Sequence, residues 1–487
     1  LKSKPKILFA TFEAEPFMKT GGLGDVAGSL PKAISASGGN IRVIMPKFSG
    51  IPEKYKARMK HIADFYLNLS WRKQYCGIDM LRHLGVVYYF VDNMYYFDRE
   101  KPYGYYDDGE RIAFFSQAVL QCIQYLPDFF PDILHLNDWH TAAAAALLRS
   151  GQYADIPGYD RIKTVFTVHN LKFQGVFPEI CAGELLGLSR EEAVSLGLIY
   201  GDTVNYMRGG LSMSDRLTTV SPSYADEVCS DFFGEKAQDI FRSRRGVLYG
   251  ILNGIDTKKY DPAVDKSLAV KYDAKTLENK KRNKELLQAE IGLCVNGDTP
   301  VIALISRLTE QKGLDLVLCI LDELLGEDLQ LAVLGVGDKK YEDELRSRAL
   351  ASGGKMSAML MFDEGLSHRF YAAADMVMVP SLFEPCGLSQ MMAMRYGALP
   401  VVRETGGLRD SVIPYNKFTG EGTGFSFANF NAHELLFTIK EALRIYREDG
   451  ETWDALVKNA MAEDFSWSAS AEAYMALYRE LLAPEEK

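Results

Sequence analysis

Long hydrophobic runs are missing from this 487-residue chain: no stretch of 18 or more apolar residues occurs, so nothing has the length of a bilayer-spanning helix. Cysteine pairing is missing as a pattern. Cys76, Cys122, Cys181, Cys229, Cys294, Cys319 and Cys386 are odd in number and scattered, and no C-x-x-C occurs. Free thiols in a reducing compartment are expected. Excess positive charge is also missing. The formal charge is −10, which argues against broad nucleic-acid binding and leaves the basic residues as local tools. No signal-peptide pattern precedes the first strand. The opening Leu1-Lys2-Ser3 lacks an initiator methionine, which leaves room for a removed targeting segment.

Several catalytic signatures are absent as well. There is no G-x-x-x-x-G-K-[ST] phosphate loop and no G-x-S-x-G nucleophile elbow. No H-E-x-x-H occurs, since His433-Glu434 meets Phe437 where the second histidine would stand, and no D-x-D is present to hold a metal-bound diphosphate. No metal and no cofactor are expected. Gly22, Gly24 and Gly28 form G-x-G-x-x-x-G, one residue too long for a dinucleotide fingerprint, and the second strand ends at Met45-Pro46-Lys47 without a ribose-binding acid.

What is present is an alternation of short apolar runs with helical stretches. Strands are predicted at 6–11, 41–46, 86–91, 133–138, 163–170, 216–221 and 247–254, with a helix over 142–149. The polar, turn-rich segment 254–265 reads as a connection. Strands then resume at 301–306, 329–335, 358–362, 374–381 and 398–404, and a last helix opens near Ser466. Two doubly wound α/β domains follow, over 1–255 and 256–465, with a terminal helix over 466–487.

Three loops carry the chemistry. Lys19 precedes Gly21 and Gly22 and a helix start, an arrangement that seats an anion. The stretch Thr20-Gly21-Gly22-Leu23-Gly24-Asp25 is echoed by Thr405-Gly406-Gly407-Leu408-Arg409-Asp410. Arg307 and Lys312 follow the strand 301–306, at the strand end where open α/β sheets bind ligands. Two such cations about 4 Å from a phosphate would each contribute about 4 kcal/mol at an effective dielectric near 20. Glu384 follows the strand 374–381 beside Pro385 and Gly387, where an exposed loop carboxylate can accept hydrogen bonds from ligand hydroxyls. Three histidines, His135, His140 and His169, stand near the ends of neighbouring strands with Asp138 and Asn170.

The blocks KTGGLGDVAGSLPKA, NDWHT, TVHNLKFQGVF, ILNGIDTKKYDP, SRLTEQKG, PSLFEPCGLSQ, ETGGLRDSV and DFSWSASAEAYMALY, in this order, resemble those of bacterial glycogen synthases and plant starch synthases. That resemblance implies GT-B architecture, two Rossmann-like domains facing across a deep cleft, with the last helix crossing back to the first domain. It implies glucose transfer from ADP-glucose to the non-reducing end of an α-1,4-glucan (glycogen, starch or a maltooligosaccharide). Configuration is retained, ADP leaves, and no metal, membrane or nucleic acid takes part.

By the same resemblance, Lys19, Gly21, Gly22 and Asp25 touch the donor, with Asn253. Arg307 and Lys312 meet the diphosphate. Glu384 lies near the donor glucose in a loop shaped by Cys386, Gly387, Leu388 and Ser389, and Gly406 and Gly407 lie beside the phosphates. His169, Asn170 and Asp138 surround the transferred sugar, and Tyr103 and His140 lie toward the acceptor. Phe362 stands where some members place a tyrosine on adenine, and Gly24 where others have alanine. A UDP-glucose transferase of the same architecture and a non-catalytic glucan-binding protein are the alternatives. The cytoplasm is the expected location, or a plastid stroma after loss of a transit peptide.

Overall fold

A computed structural model describes residues 4–484. The chain divides into two compact units: one drawing on both ends of the chain, up to Gly254 and from Trp467 onward, the other spanning Ile255–Ser466.

The first unit contains β1 (Lys6–Ala10), β2 (Asn40–Pro46), β3 (Lys60–Leu69), β4 (Arg72–His83), β5 (Val86–Asp92), β6 (Ile133–Asn137) and β7 (Lys163–Val168). A small antiparallel sheet follows from β8 (Val176–Pro178), β9 (Ile199–Tyr200) and β10 (Thr203–Asn205), and then β11 (Arg216–Thr219) and β12 (Leu248–Gly250). The main sheet runs β12-β11-β7-β6-β1-β2-β5-β4-β3. Its first seven strands are parallel and nearly wholly buried, as runs such as ILFA and VIM require when helices cover both faces.

The sequence reading missed β3 and β4. They add antiparallel to the sheet edge, and Phe65, Leu67 and Leu69 point inward while their neighbours face solvent. That polar–apolar alternation is the pattern of a half-covered strand, unlike the continuous apolar runs of the parallel core.

The second unit holds β13 (Val301–Ile305), β14 (Gln330–Leu334), β15 (Met356–Met359), β16 (Met376–Val379), β17 (Leu399–Arg403) and β18 (Phe425–Phe427), all parallel, in the order β15-β14-β13-β16-β17-β18. β15 starts and ends earlier than predicted, so Phe362 lies beyond it and is 84% exposed.

The helix Trp467–Leu481 belongs to the first unit, where it packs on the helix Gly22–Ala36. Its buried face ends in a polar contact: Tyr478 Oη shares a 2.6 Å hydrogen bond with His135 Nδ1, and His135 Nε2 shares another at 2.6 Å with Thr167 Oγ1. Burial pushes the His135 pKa down to about 3, so the ring is a neutral crosslink between helix and sheet. His135 thus lies inside β6, occupied by structure, and leaves the set of strand-end histidines.

Replacing Tyr478 by phenylalanine orphans a buried imidazole nitrogen and should cost about 1–3 kcal/mol of unfolding free energy in urea titrations. An unchanged midpoint would show that the contact contributes nothing.

Candidate active site

In each sheet the strand order reverses once around the first strand of its unit: between β1 and β6 in the first, between β13 and β16 in the second. At such a point the connecting helices diverge to opposite faces and leave the carboxyl ends of the two strands uncovered. The chemistry-bearing residues of each unit collect there.

In the second unit, β13 delivers Ser306 and Arg307, and β16 runs through Pro380 and Ser381 to Glu384. Lys312 Nζ stands 2.5 Å from Glu384 Oε2, and Ser381 Oγ donates to the same oxygen at 2.9 Å. Glu384 is buried, contrary to the expectation of an exposed loop carboxylate. Arg307, which follows β13, is exposed. Its guanidinium makes no hydrogen bond or ion pair with any described residue.

The loop carrying Glu384 is clamped by the second glycine pair. A Cβ on Gly406 would stand 2.1 Å from the Glu384 carbonyl oxygen, and one on Gly407 would stand 2.1 Å from that of Cys386. Gly407 N donates to that Glu384 carbonyl at 3.1 Å. Cys386 is buried, Gly387 takes φ +71°, and Leu388 and Ser389 open the short helix that follows.

The first glycine pair is a different object. A Cβ on Gly21 or Gly22 would meet nothing within 4 Å, and both residues are exposed. Packing within the protein does not require glycine there, so the backbone is open to an approaching group. Lys19 Nζ lies 2.6 Å from Asp25 Oδ1 and 3.4 Å from Glu15 Oε2, so the cation is held against the first turn of the helix Gly22–Ala36.

Asp138 follows β6 with φ 61° and ψ 176°, a conformation almost confined to glycine. Its N–H donates to the Thr167 carbonyl at 2.8 Å, and its carbonyl receives the Thr141 N–H at 3.0 Å. Strain of this kind, of order 1–3 kcal/mol, persists where surrounding structure imposes it and gathers at functional sites. The Asp138 carboxyl is buried, its Oδ1 has no partner among the described residues, and the backbone N–H groups of Trp139, His169 and Asn170 face the group. Burial outweighs those dipoles, and Glu13 adds repulsion, so the pKa rises to about 8.

Beside it, His140 stacks between Phe12 (5.1 Å between ring centroids) and Tyr103 (4.9 Å), with neither ring nitrogen hydrogen-bonded to a described residue. His169 Nε2 meets Asn137 Oδ1 at 3.0 Å, and Asn170 Oδ1 receives the Lys172 N–H at 3.1 Å. Burial holds both His140 and His169 near a pKa of about 3, so they act as neutral rings. Asn253 is buried with Oδ1 unpartnered among the described residues.

One residue of this unit escaped the sequence reading. Glu13, buried three positions beyond the end of β1, accepts from Tyr103 Oη at 2.7 Å, from Thr20 Oγ1 at 2.9 Å and from Thr20 N. Of the two glutamates in FEAEPF, neither carries a spacing signal, and only the position of Glu13 between β1 and the glycine loop hinted at it. Among the described residues no group of three His, Cys, Asp or Glu side chains is arranged to hold a metal ion, and no helix is long and apolar enough to cross a membrane.

Two family models match the chain, the starch synthase catalytic domain over residues 6–243 and the glycosyl transferases group 1 over residues 292–461, so fold and site define a two-domain α/β glycosyltransferase of GT-B-like architecture. The chain is 49% identical over 476 residues to the glycogen synthase of Clostridium novyi, covering 98% of this chain and 99% of that protein. It is 48% identical over 481 residues to that of Geobacillus stearothermophilus, covering 99% of each. Among solved structures it matches the catalytic domain of starch synthase IV from Arabidopsis thaliana bound to ADP and acarbose, with TM-score 0.89, 32% identity and coverage of 98% of this chain and 99% of that one. The chain belongs to the glycogen synthase family.

Two contrasts test the site. Gly407→Ala forces a backbone shift and should destabilise the second unit by about 2–3 kcal/mol, whereas Gly22→Ala should leave thermal unfolding within about 1 kcal/mol of the parent. Equal effects would contradict the distinction between clamp and open turn. For Asp138, the folded pKa (about 8) exceeds the unfolded value of 3.8, so the folded state binds the extra proton between those pH values. Its contribution to stability therefore falls as pH rises through that window. Asp138→Asn should come nearest the parent below pH 3.8 and melt increasingly above it as pH rises toward 8; a difference independent of pH would refute the raised pKa.

Proposed function

We propose that this protein transfers glucose from ADP-glucose to the non-reducing end of an α-1,4-glucan, with retention of configuration and release of ADP, in the bacterial cytoplasm. The observation that carries the reading is the strand-end cluster of the second unit. Arg307, exposed and without a described side-chain partner, follows β13 five residues ahead of a lysine that is already fixed by the buried Glu384. Such a cluster suits a leaving diphosphate, because its charges are fixed before negative charge develops and little reorganisation is needed during bond cleavage. The ADP and acarbose held by the Arabidopsis starch synthase support a nucleoside diphosphate and a glucan-like sugar as ligands of this chain.

In this reading Arg307 and Lys312 take the charge that builds on the leaving diphosphate as the C1–O bond breaks. Glu384 orients Lys312 and accepts from the donor sugar. Gly406 and Gly407 hold the Glu384 loop, and Phe362 offers its exposed ring to adenine. Lys19 and the open Gly21–Gly22 turn contact the donor, with Asp25 and Asn253. Asp138, His169 and Asn170 take hydroxyls of the transferred glucose, with the neutral imidazole of His169 serving as a hydrogen-bonding group. Tyr103 and His140 face the acceptor. The glucan 4-hydroxyl attacks from the face that ADP leaves and passes its proton to the departing diphosphate, so the new glycosidic bond keeps the configuration of the old.

Radiolabelled ADP-glucose and UDP-glucose assayed on glycogen test the reaction, and glucan binding without transfer from either would reject it. Arg307→Ala is the clean probe, since the side chain has no structural partner. Turnover should fall roughly 10²- to 10³-fold with thermal stability unchanged. Lys312→Ala should lose both turnover and stability, because it leaves Glu384 as an uncompensated buried charge. Near-normal turnover in both variants would reject the assignment.

A further inference from the structure

Glu13 is almost wholly inaccessible, at 1% exposure, yet its side chain binds groups from two other segments, one close in the chain and one distant. One is Thr20, at the mouth of the first glycine loop, held through its backbone N–H and its hydroxyl. The other is Tyr103, 90 residues onward, held through its hydroxyl. The two hydroxyls also approach each other, Thr20 Oγ1 lying 2.6 Å from Tyr103 Oη; each has one proton, so at any moment only two of the three contacts are hydrogen bonds, and carboxylate, threonine and tyrosine form one cluster. The main chain at Glu13 is itself anchored, because the Thr11 hydroxyl donates to the Glu13 carbonyl at 2.7 Å and fixes the chain as it leaves β1. Tyr103 lies over His140, whose ring nitrogens make no hydrogen bond with described residues, and His140 is two residues from the strained Asp138.

We infer that Glu13 is a positioning residue of the transfer reaction, holding Tyr103 over the His140 ring and the Thr20 end of the glycine loop in one geometry. This rests on the reading of the Asp138–His140–His169 cluster as a sugar site. Glu13 itself touches no substrate in this account. It acts through Tyr103 and Thr20, which carry no other anchor of comparable burial, and a carboxylate suits the task because it accepts several short charge-assisted bonds at once.

A second consequence is electrostatic. Three titratable side chains bear on Asp138: Glu13, Tyr103 and Tyr224. Burial raises both tyrosines, so they stay neutral, and Glu13 is the charged one. His169 contributes a backbone N–H and a neutral ring. Removing the Glu13 charge must make Asp138 easier to ionise, whereas removing the Tyr103 hydroxyl removes no charge.

Glu13→Gln keeps the shape and one accepting oxygen, so it tests the charge without opening a cavity. The full chain and the variants Glu13→Gln, Tyr103→Phe and their double would be compared on ADP-glucose and maltooligosaccharide. Glu13→Gln should lower kcat roughly 10- to 100-fold, the range for loss of a charge-assisted hydrogen bond, with the KM for ADP-glucose changed less than about threefold. The double variant should cost no more than Glu13→Gln, because Tyr103 is held through Glu13. The pH–rate limb that disappears in Asp138→Asn should move to lower pH in Glu13→Gln and stay in place in Tyr103→Phe.

Amide hydrogen exchange supplies a readout that does not need turnover: peptides covering 17–24 and 99–106 should exchange faster in Glu13→Gln, with the rest of the first unit unchanged. Wild-type kcat together with wild-type exchange in Glu13→Gln would overturn the inference. So would a loss of kcat that tracks lost thermal stability and leaves the exchange of both segments unaltered. Absence of transfer by the parent would instead sink the proposed function, and the exchange experiment would still decide whether Glu13 holds the two segments.

Discussion

The reversal of strand order within each sheet is the constraint from which the rest follows. It makes the carboxyl ends of two strands that are distant in sequence into neighbours, with no crossover helix to cover them. Asn137 Nδ2 donates to the Ala10 carbonyl at 3.0 Å across 127 positions, and this join sets Asp138 beside the residues that leave β1. The corresponding join of β13 and β16 in the second unit brings Lys312 to Glu384, 72 positions away. Hydrogen bonding between parallel strands is obligatory in a dry sheet, so these meetings are as rigid as the sheets.

Burial then decides what each group can do. His135, His140 and His169 share one chemistry and one electrostatic fate, neutral rings, yet they divide by partner. His135 is saturated by Tyr478 and Thr167 and ties the final helix to the sheet, whereas His140 keeps both nitrogens unsatisfied by the described protein. Asp138 and Glu384 are both buried carboxylates. Glu384 has a lysine at 2.5 Å, and Asp138 has only dipoles, so its carboxyl titrates near 8. Both carboxylates are taken out of water, but only Glu384 has an opposite charge beside it.

The parallel core was legible because its strands are short, apolar and bounded by turn residues. Nearly every predicted run lies over an observed strand, from Lys6–Ala10 to Leu399–Arg403. The β3–β4 edge was not read, since strands covered on one face show alternation in place of an apolar run. The candidate site residues were legible as types near strand ends: Arg307, Asp138 and His169 follow apolar runs closely, and polar side chains in such positions are seldom there for packing. Glu13 was not legible, because nothing in its neighbours distinguishes a buried acceptor from a solvated glutamate. The two matching TGGL stretches misled in one respect. They looked equivalent, but Gly406–Gly407 is demanded by contact with the Glu384 loop, and Gly21–Gly22 is packed against nothing.

The amino-acid sequence alone determined the α/β class, the two-fold division of the chain, the ordered blocks of the family and the absence of familiar metal and nucleotide motifs. These depend on local periodicity and on residue type at element ends, which adjacent residues express. Tertiary structure decided which carboxylate is paired and which is strained and protonated, which histidine is mortar and which is open, and that Glu13 binds Thr20 and Tyr103. Each of those properties depends on desolvation and on partners contributed from other elements, and no neighbour in the chain encodes either.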